Sequence, residues 1–180
     1  MIRAFVAIRP PDAVCDRLED LGADLEDGRP VPFENLHVTL AFLGSQDRHV
    51  LEDVASELDR IRMAPPMLAF RGVGVFGRRR PRSAHALVAP DPGLTALHDA
   101  VRRAAEAGGV ALERRRFMPH ATVARFSAEA PAEDDLPRWI ADHGDFEAPA
   151  FAAAEFSLWR SDLTRGGAVY SEAMRCTVTG

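Results

Sequence analysis

The sequence contains no lysine, because all 22 of its basic residues are arginine. This absence excludes any mechanism that needs a lysyl adduct, including the lysine-adenylate route of many nucleic-acid ligases. Cysteine is nearly as scarce: Cys15 and Cys176 are the only two, and they do not form a ligand-like pair in the sequence. We therefore expect two free thiols and a cytoplasmic protein.

Long hydrophobic runs and a positive net charge are also missing. No stretch approaches the ~18 uninterrupted apolar residues of a membrane span, so we expect none. The formal net charge is −5, which excludes a global basic field for long nucleic acid. Any RNA binding must therefore be local, and the two basic clusters are Arg78–Arg82 and Arg114–Arg116. The length of 180 residues fits one domain.

One short pattern, His-x-Thr, occurs twice in similar apolar surroundings. The copies are His37–Thr39 and His120–Thr122, separated by 83 positions at both the histidine and the threonine. Since residues i and i+2 of a strand point to the same face, each copy presents an imidazole and a hydroxyl together. Two such strands could form a symmetric site for a phosphate.

The surrounding elements repeat as well. Each copy follows the order strand, helix, loop, His-x-Thr strand, helix and strand, and the first strand begins 35 or 36 residues before the histidine. This agreement predicts an internal duplication with a pseudo-twofold axis and a cleft between corresponding strands. Strand periodicity alone does not decide between parallel and antiparallel sheets. We predict a single strand over Phe151–Arg160 and a hairpin turn at Gly166–Gly167.

A pair of histidines suits the hydrolysis of a cyclic phosphodiester. One neutral imidazole can deprotonate the attacking water and one imidazolium can protonate the leaving oxygen, because histidine titrates near pH ~6.5. Threonine hydroxyls can donate to the phosphate oxygens. A non-catalytic anion-binding cleft is an alternative. A zinc site would need a third ligand, and no His, Cys, Asp or Glu lies at ligand spacing to either histidine.

Two segments around the histidines carry a family resemblance. Glu34–Gly44 and Arg116–Arg125 resemble the two signatures of the RNA 2′,3′-cyclic phosphodiesterases (ThpR or LigT proteins, formerly 2′-5′ RNA ligases), which are two-histidine phosphoesterases. The ends of the chain, Arg3–Ile8 and Leu158–Tyr170, are similar to that family too. One departure is Trp159, where the family often has tyrosine.

The resemblance implies an α+β fold in which two mostly antiparallel sheets line a central cleft with helices outside. It implies one two-lobed domain over residues 1–180. The implied reaction opens an RNA terminal 2′,3′-cyclic phosphate to a 2′-phosphate without metal or cofactor, with weak reverse 2′-5′ ligation. By the same resemblance, His37 is the acid on the 3′ oxygen and His120 is the base on water.

We expect a substrate-binding set that comprises Thr39, Thr122, Arg125 and Phe42, of which the resemblance supplies only Arg125. Arg125 matches a family arginine that contacts the phosphate end of the ligand. Strict alternation puts Arg125 on the face opposite His120, and a bulge or strand end would resolve the conflict. Phe42 holds the equivalent place in the first copy, where it could stack a base or belong to the core.

Other features give weaker signals. Gly72–Gly77 fits G-x-G-x-x-G, but Pro81 follows where the dinucleotide fingerprint requires a helix. His49, His85, His98 and His143 lack a threonine partner, and we expect no role for any of them. His49 and His98 lie on predicted helices, and we expect both at the surface. The expected partner is an RNA 3′ end with a 2′,3′-cyclic phosphate, bound by a monomer. The alternatives are a phosphodiesterase of small nucleotides, such as ADP-ribose 1″,2″-cyclic phosphate, and a non-catalytic RNA- or nucleotide-binding module.

Overall fold

The computed structural model describes residues 1–77, 81–127, 135–165 and 167–179. This part of the chain contains four α-helices, one short 3-10 helix (Phe33–Asn35) and nine strands. The helices are α1 (Asp12–Ala23), α2 (Arg48–Leu58), α3 (Pro92–Ala107) and α4 (Asp135–His143). The strands are β1 (Ile2–Ile8), β2 (Arg29–Pro30), β3 (Val38–Gln46), β4 (Met67–Phe76), β5 (Ser83–Val88), β6 (His120–Arg125), β7 (Glu147–Ala152), β8 (Glu155–Thr164) and β9 (Gly167–Thr177).

The strands form one sheet in the order β7-β4-β5-β6-β3-β1-β8-β9, with the short β2 added beside β6. All the strand pairings are antiparallel. The two motif strands, β3 and β6, lie at the centre and are joined through the single residue pair Val38 and Ala121. The sheet therefore consists of two four-stranded halves that meet at the His-x-Thr motifs.

The helices pack across the duplication. α1, from the first copy, contacts β6 of the second copy, whereas α3, from the second copy, contacts β3 of the first. The buried face of α1 carries Val14, Leu18 and Leu21 at helical spacing. α3 begins at an N-cap formed by Asp91, whose side chain accepts a hydrogen bond from Leu94 N at 2.7 Å. Each helix thus supports the other copy's motif strand.

The predicted α+β fold with antiparallel strands is confirmed, and the parallel alternative is wrong. The two sheets expected from the resemblance are joined into one, because β3 pairs with β6 through Val38 and Ala121. One strand prediction is also wrong: the segment Phe151–Arg160 belongs to two strands, β7 and β8. The chain turns at Ala153, whose N–H donates to Pro66 O at 2.8 Å, and Ala154 N–H donates to Ala152 O at 2.9 Å. No glycine or proline marks this turn, which explains why the pattern gave no break. β7 then pairs with β4 and β8 with β1, in opposite halves of the sheet.

Several smaller predictions can be compared with the described residues. Gly72 and Gly74 lie inside β4, so the G-x-G-x-x-G pattern belongs to a strand. Arg78–Arg80, from the first basic cluster, and Gly166, from the predicted hairpin turn, lie outside the described residues. Cys15 and Cys176 are free and buried, and burial raises the pKa of each thiol to about 11. Within the described ranges, the helices lack the length and apolar character that spanning a membrane requires.

Candidate functional site

The two His-x-Thr motifs lie side by side on neighbouring antiparallel strands. Because Val38 is paired with Ala121, the register places His37 across from Thr122 and Thr39 across from His120. The paired residues Val38 and Ala121 are buried, whereas the two histidines and two threonines are half-buried. The register therefore brings two imidazoles and two hydroxyls onto one open face at the centre of the sheet.

Each histidine is oriented by the carbonyl group two residues before it. His37 Nδ1 lies 2.7 Å from Asn35 O, and His120 Nδ1 lies 2.7 Å from Met118 O. A carbonyl oxygen only accepts, so in both rings Nδ1 carries the hydrogen and Nε2 is left as the base of the neutral form. Asn35 is itself held by β9, since its Nδ2 donates to Ala168 O at 3.0 Å.

A β-bulge in each motif strand breaks the alternation of side chains. Along β1, Ala7 is paired with Thr39 and Val6 with Ala41, so Leu40 is an extra residue in β3. One residue later, Phe42 is paired with Phe5. The bulge thereby moves Phe42 to the face of His37 and Thr39, where it is 66% exposed.

The second copy has the same bulge at the equivalent position. Along β5, His85 is paired with Thr122 and Ala84 with Ala124, so Val123 is the extra residue in β6. Arg125 therefore emerges on the face of His120 and Thr122, which resolves the conflict that strict alternation creates. Its charge acts on both motif imidazoles, His37 and His120.

Aromatic rings surround His37. The Phe5 ring lies 4.9 Å from the His37 ring between centroids, and Tyr170 approaches edge-on at 5.5 Å. Phe42 lies 6.1 Å from Phe5 and Trp159 stacks on Phe5 at 6.5 Å. These contacts fix the plane of the His37 ring and leave Phe42 as the exposed member of the cluster.

A third histidine, His85, lies against His120. The two ring centroids are 4.4 Å apart, and Phe76 contacts both rings at 4.3 and 4.9 Å. His85 is 1% exposed and its Nε2 lies 3.2 Å from Ser83 Oγ. Its buried Nδ1 has no hydrogen-bond partner among the residues that the structure describes. The sequence pattern predicts no role for His85, because this residue lacks a threonine partner. Its position in the strand before the second motif was the one sequence signal that could have placed it near the site.

All three imidazoles at the site have a pKa below the ordinary range. Burial lowers the pKa of His37 to about 4, and the charges of Arg125 and His120 add to this against the hydrogen bond to Asn35. Burial also lowers the pKa of His120, again with a contribution from Arg125. For His85, burial lowers the pKa to about 3. The free protein therefore holds neutral imidazoles at neutral pH, and a bound anion would favour their protonation.

Two further histidines, His49 and His98, differ in their exposure. His49 is exposed on α2 as expected, but the surface prediction for His98 is wrong because this residue is 8% exposed. Its ring is covered by Phe117, which helical periodicity alone could not show. Among the described residues, no group of three or more His, Cys, Asp and Glu side chains could hold a metal ion.

The sequence of this chain is similar to those of known proteins. A family model described as the 2′-5′ RNA ligase superfamily matches residues 10–165. The RNA 2′,3′-cyclic phosphodiesterase of Aeropyrum pernix is 32% identical over 146 residues, covering 79% of this chain and 81% of that protein. The Escherichia coli protein of the same name is 30% identical over 158 residues, covering 86% and 82%.

Solved structures agree with the family match. A phosphoesterase crystal structure superposes with a TM-score of 0.81 at 28% identity and covers 99% of both chains. Escherichia coli LigT in its apo form gives a TM-score of 0.77 at 28% identity, covering 99% of this chain and 98% of that one. The matched span includes both His-x-Thr copies, and the predicted family resemblance is confirmed. This chain belongs to the 2′-5′ RNA ligase superfamily.

Proposed function

We propose that this protein hydrolyses the 2′,3′-cyclic phosphate at RNA 3′ ends to a 2′-phosphate, using His37 and His120 as an acid–base pair. The observation that carries the proposal is the matched pair of imidazoles on facing strands. In each, Nδ1 is tied to a backbone carbonyl two residues earlier, so Nε2 is the nitrogen available for proton transfer. The names of the Aeropyrum pernix and Escherichia coli relatives support this reaction.

The proposed step balances without a covalent intermediate. Water attacks phosphorus while His120 Nε2 takes its proton, and the P–O3′ bond breaks as His37 Nε2–H protonates the leaving 3′ oxygen. The phosphate then remains on the 2′ oxygen. The same attack made by a 5′-hydroxyl in place of water would give weak 2′-5′ ligation, with the 3′ oxygen again as the leaving group. A positioned acid or base typically contributes ~10²–10⁴-fold to such a rate.

The low pKa of the two imidazoles means that the acid takes up its proton when the substrate binds. Burial, together with the Arg125 charge, lowers the pKa of both imidazoles in the free protein. A cyclic phosphodiester carries one negative charge, and its presence beside the rings would raise the pKa of the acid. We infer that His37 becomes protonated in the substrate complex.

Four further residues complete the proposed substrate site. Thr39 and Thr122, across the strands from the opposite histidines, would donate to the non-bridging oxygens. Arg125 would pair with the phosphate, and a guanidinium suits that geometry. Phe42 is exposed beside Phe5 and would stack the terminal base.

We also propose that residues 1–180 act as one two-lobed, monomeric, cytoplasmic domain. The continuity of the sheet across Val38 and Ala121 and the exchange of helices between the two copies support one unit. The free buried thiols suit a reducing compartment. Light scattering coupled to size exclusion would test the monomer, and limited proteolysis would test the single domain.

The decisive assay uses an oligonucleotide with a terminal 2′,3′-cyclic phosphate, incubated in EDTA. We expect ring opening in the chelator, with slower turnover of a 2′,3′-cyclic mononucleotide and of ADP-ribose 1″,2″-cyclic phosphate. Faster turnover of either small nucleotide would favour the small-molecule alternative. Binding without turnover would favour the binding module, and loss of activity in EDTA with recovery on adding zinc would favour a metal site.

A further inference from the structure

His98, on α3, contacts the bulge of the first motif strand. Its Nδ1 lies 2.8 Å from the carbonyl oxygen of Leu40, the extra residue of β3. Since a carbonyl only accepts, the His98 Nδ1–H is the donor. His98 thereby supplies a hydrogen bond to a carbonyl at the bulge, where the β1–β3 ladder is interrupted.

The second copy satisfies the equivalent carbonyl in another way. Val123 lies 83 positions after Leu40 and is the extra residue of β6. Its carbonyl oxygen accepts a hydrogen bond from Val31 N at 2.8 Å, next to the short strand β2. The two bulges are thus held by unlike donors: a backbone amide in the second copy and the His98 side chain in the first.

The other contact of His98 leads to the second motif. Its ring stacks on Phe117 with centroids 3.8 Å apart and planes 8° from parallel. Phe117 is followed by Met118, whose carbonyl accepts the hydrogen bond from His120 Nδ1. One buried side chain therefore contacts both the bulge that turns Phe42 outward and the segment that orients His120.

We propose that His98 is a positioning residue for the reaction, setting the direction of Phe42 through the Leu40 carbonyl and the orientation of His120 through Phe117. This inference rests on the proposed function, because it assigns Phe42 to substrate binding and His120 to proton transfer. In this proposal His98 touches neither substrate nor reacting atoms, so a substitution should act on the kinetics indirectly. Loss of the Leu40 contact and loss of the Phe117 contact should have separate effects.

Two substitutions separate the contacts. His98→Phe keeps an aromatic ring against Phe117 and removes the donor to Leu40. His98→Asn keeps an N–H at the place of Nδ1 and removes the stacked ring. His49→Phe and His49→Asn make the same chemical changes at an exposed site on α2 and serve as matched controls.

The proposal predicts that His98→Phe and His98→Asn change different kinetic parameters. For an oligonucleotide with a 2′,3′-cyclic phosphate, His98→Phe should raise KM about tenfold with little change in kcat, because Phe42 is redirected. His98→Asn should lower kcat about tenfold, because small displacements of a catalytic group cost up to ~10²-fold. The acidic limb of its kcat/KM profile should move to lower pH, because the Met118 hydrogen bond that raises the pKa of His120 is weakened.

A merely structural role would give another result. Partial unfolding lowers the amplitude of the pH profile without moving its limb, and would change the two variants in the same proportion. An acidic limb that does not move in His98→Asn, or an equal proportional change in the two variants, would overturn the proposal.

If the wild-type protein proves inactive on every cyclic phosphate, the proposed function fails separately. NMR then tests the contact itself. We expect the wild-type protein to have a His98 Nδ1–H that is protected from exchange, and we expect His98→Phe to alter the ring signals of Phe42. An unprotected proton or unchanged Phe42 signals would contradict the inference.

Discussion

The imidazoles of His37 and His120 have the same backbone support and different neighbours. Both donate from Nδ1 to the carbonyl of residue i−2, which leaves Nε2 for proton transfer. His37 lies among Phe5 and Tyr170, whereas His120 lies against His85. The common support fits a shared acid–base task, and the different neighbours give each ring a different electrostatic environment.

Replacing either proposed catalytic histidine should remove most of the activity. His37→Ala and His120→Ala should each lower turnover of a cyclic phosphate by at least ~10²-fold, the range for an acid or base. The double variant should be little worse than either single one, because the two groups act as a unit. His49→Ala is the control, and retention of more than about a tenth of the rate by either single variant would contradict the pairing.

Arg125→Gln should alter both titration and binding. The Arg125 charge lowers the pKa of His37 and of His120, so its removal should raise both midpoints in an NMR pH titration. KM should rise at the same time, because the guanidinium partner of the phosphate is lost. Arg48→Gln, at an exposed position on α2 where the arginine pairs with Glu52, is the matched control. Unchanged histidine midpoints would show that Arg125 does not face the cleft.

Among the secondary-structure elements, the two bulges determine which side chains reach the site. The His-x-Thr face followed from period-two alternation, but alternation continued through Leu40 and Val123 would turn Phe42 and Arg125 away. A bulge inserts one residue without a composition signal, so the sequence could only leave that possibility open. The burial of His98 could not be predicted either, since its cover, Phe117, lies in the loop after α3, where helical periodicity gives no information.

A substitution in α1 tests the close contact between this helix and the second bulge. A Cβ at Gly22 of α1 would collide with the carbonyl oxygen of Val123. Gly22→Ala should therefore destabilise the protein by ~1–3 kcal/mol, as overpacking does, although glycine to alanine within a helix normally stabilises. Urea unfolding measures the change. Ala23→Gly, expected to lose only ~1 kcal/mol of helix propensity, is the reference; increased stability of Gly22→Ala would contradict the close approach.

On the scale of the whole molecule, the duplication explains both what was predictable and what was not. Equal motif spacing indicated two related units, and the resemblance supplied antiparallel strands. The exchange of elements was not visible, because β4 and β8 each pair with the first strand of the other copy. The pairing of β1 with β8 joins distant parts of the chain and leaves no local pattern. The break between β7 and β8 escaped prediction because no glycine or proline marks that turn.

The buried imidazoles make folding stability depend on pH. His37 and His85 have an unfolded pKa of 6.5 and folded values of about 4 and about 3. Between these limits the unfolded chain binds more protons than the folded one, so the free energy of unfolding should fall as pH drops below 6.5. His85→Phe should show a shallower fall in urea unfolding at successive pH values. An identical slope in wild type and variant would contradict the buried neutral imidazole.

The central claim is that His37 protonates the 3′ oxygen while His120 activates water. It is tested most directly by locating the phosphate in the product. An oligonucleotide with a 2′,3′-cyclic phosphate is converted in EDTA and then treated with a phosphatase that removes only 3′-phosphates. We predict a product that this phosphatase leaves intact, because the P–O3′ bond is broken and the phosphate stays on the 2′ oxygen. A product that loses its phosphate would mean that the P–O2′ bond was cut, and would contradict the assignment of the two histidines.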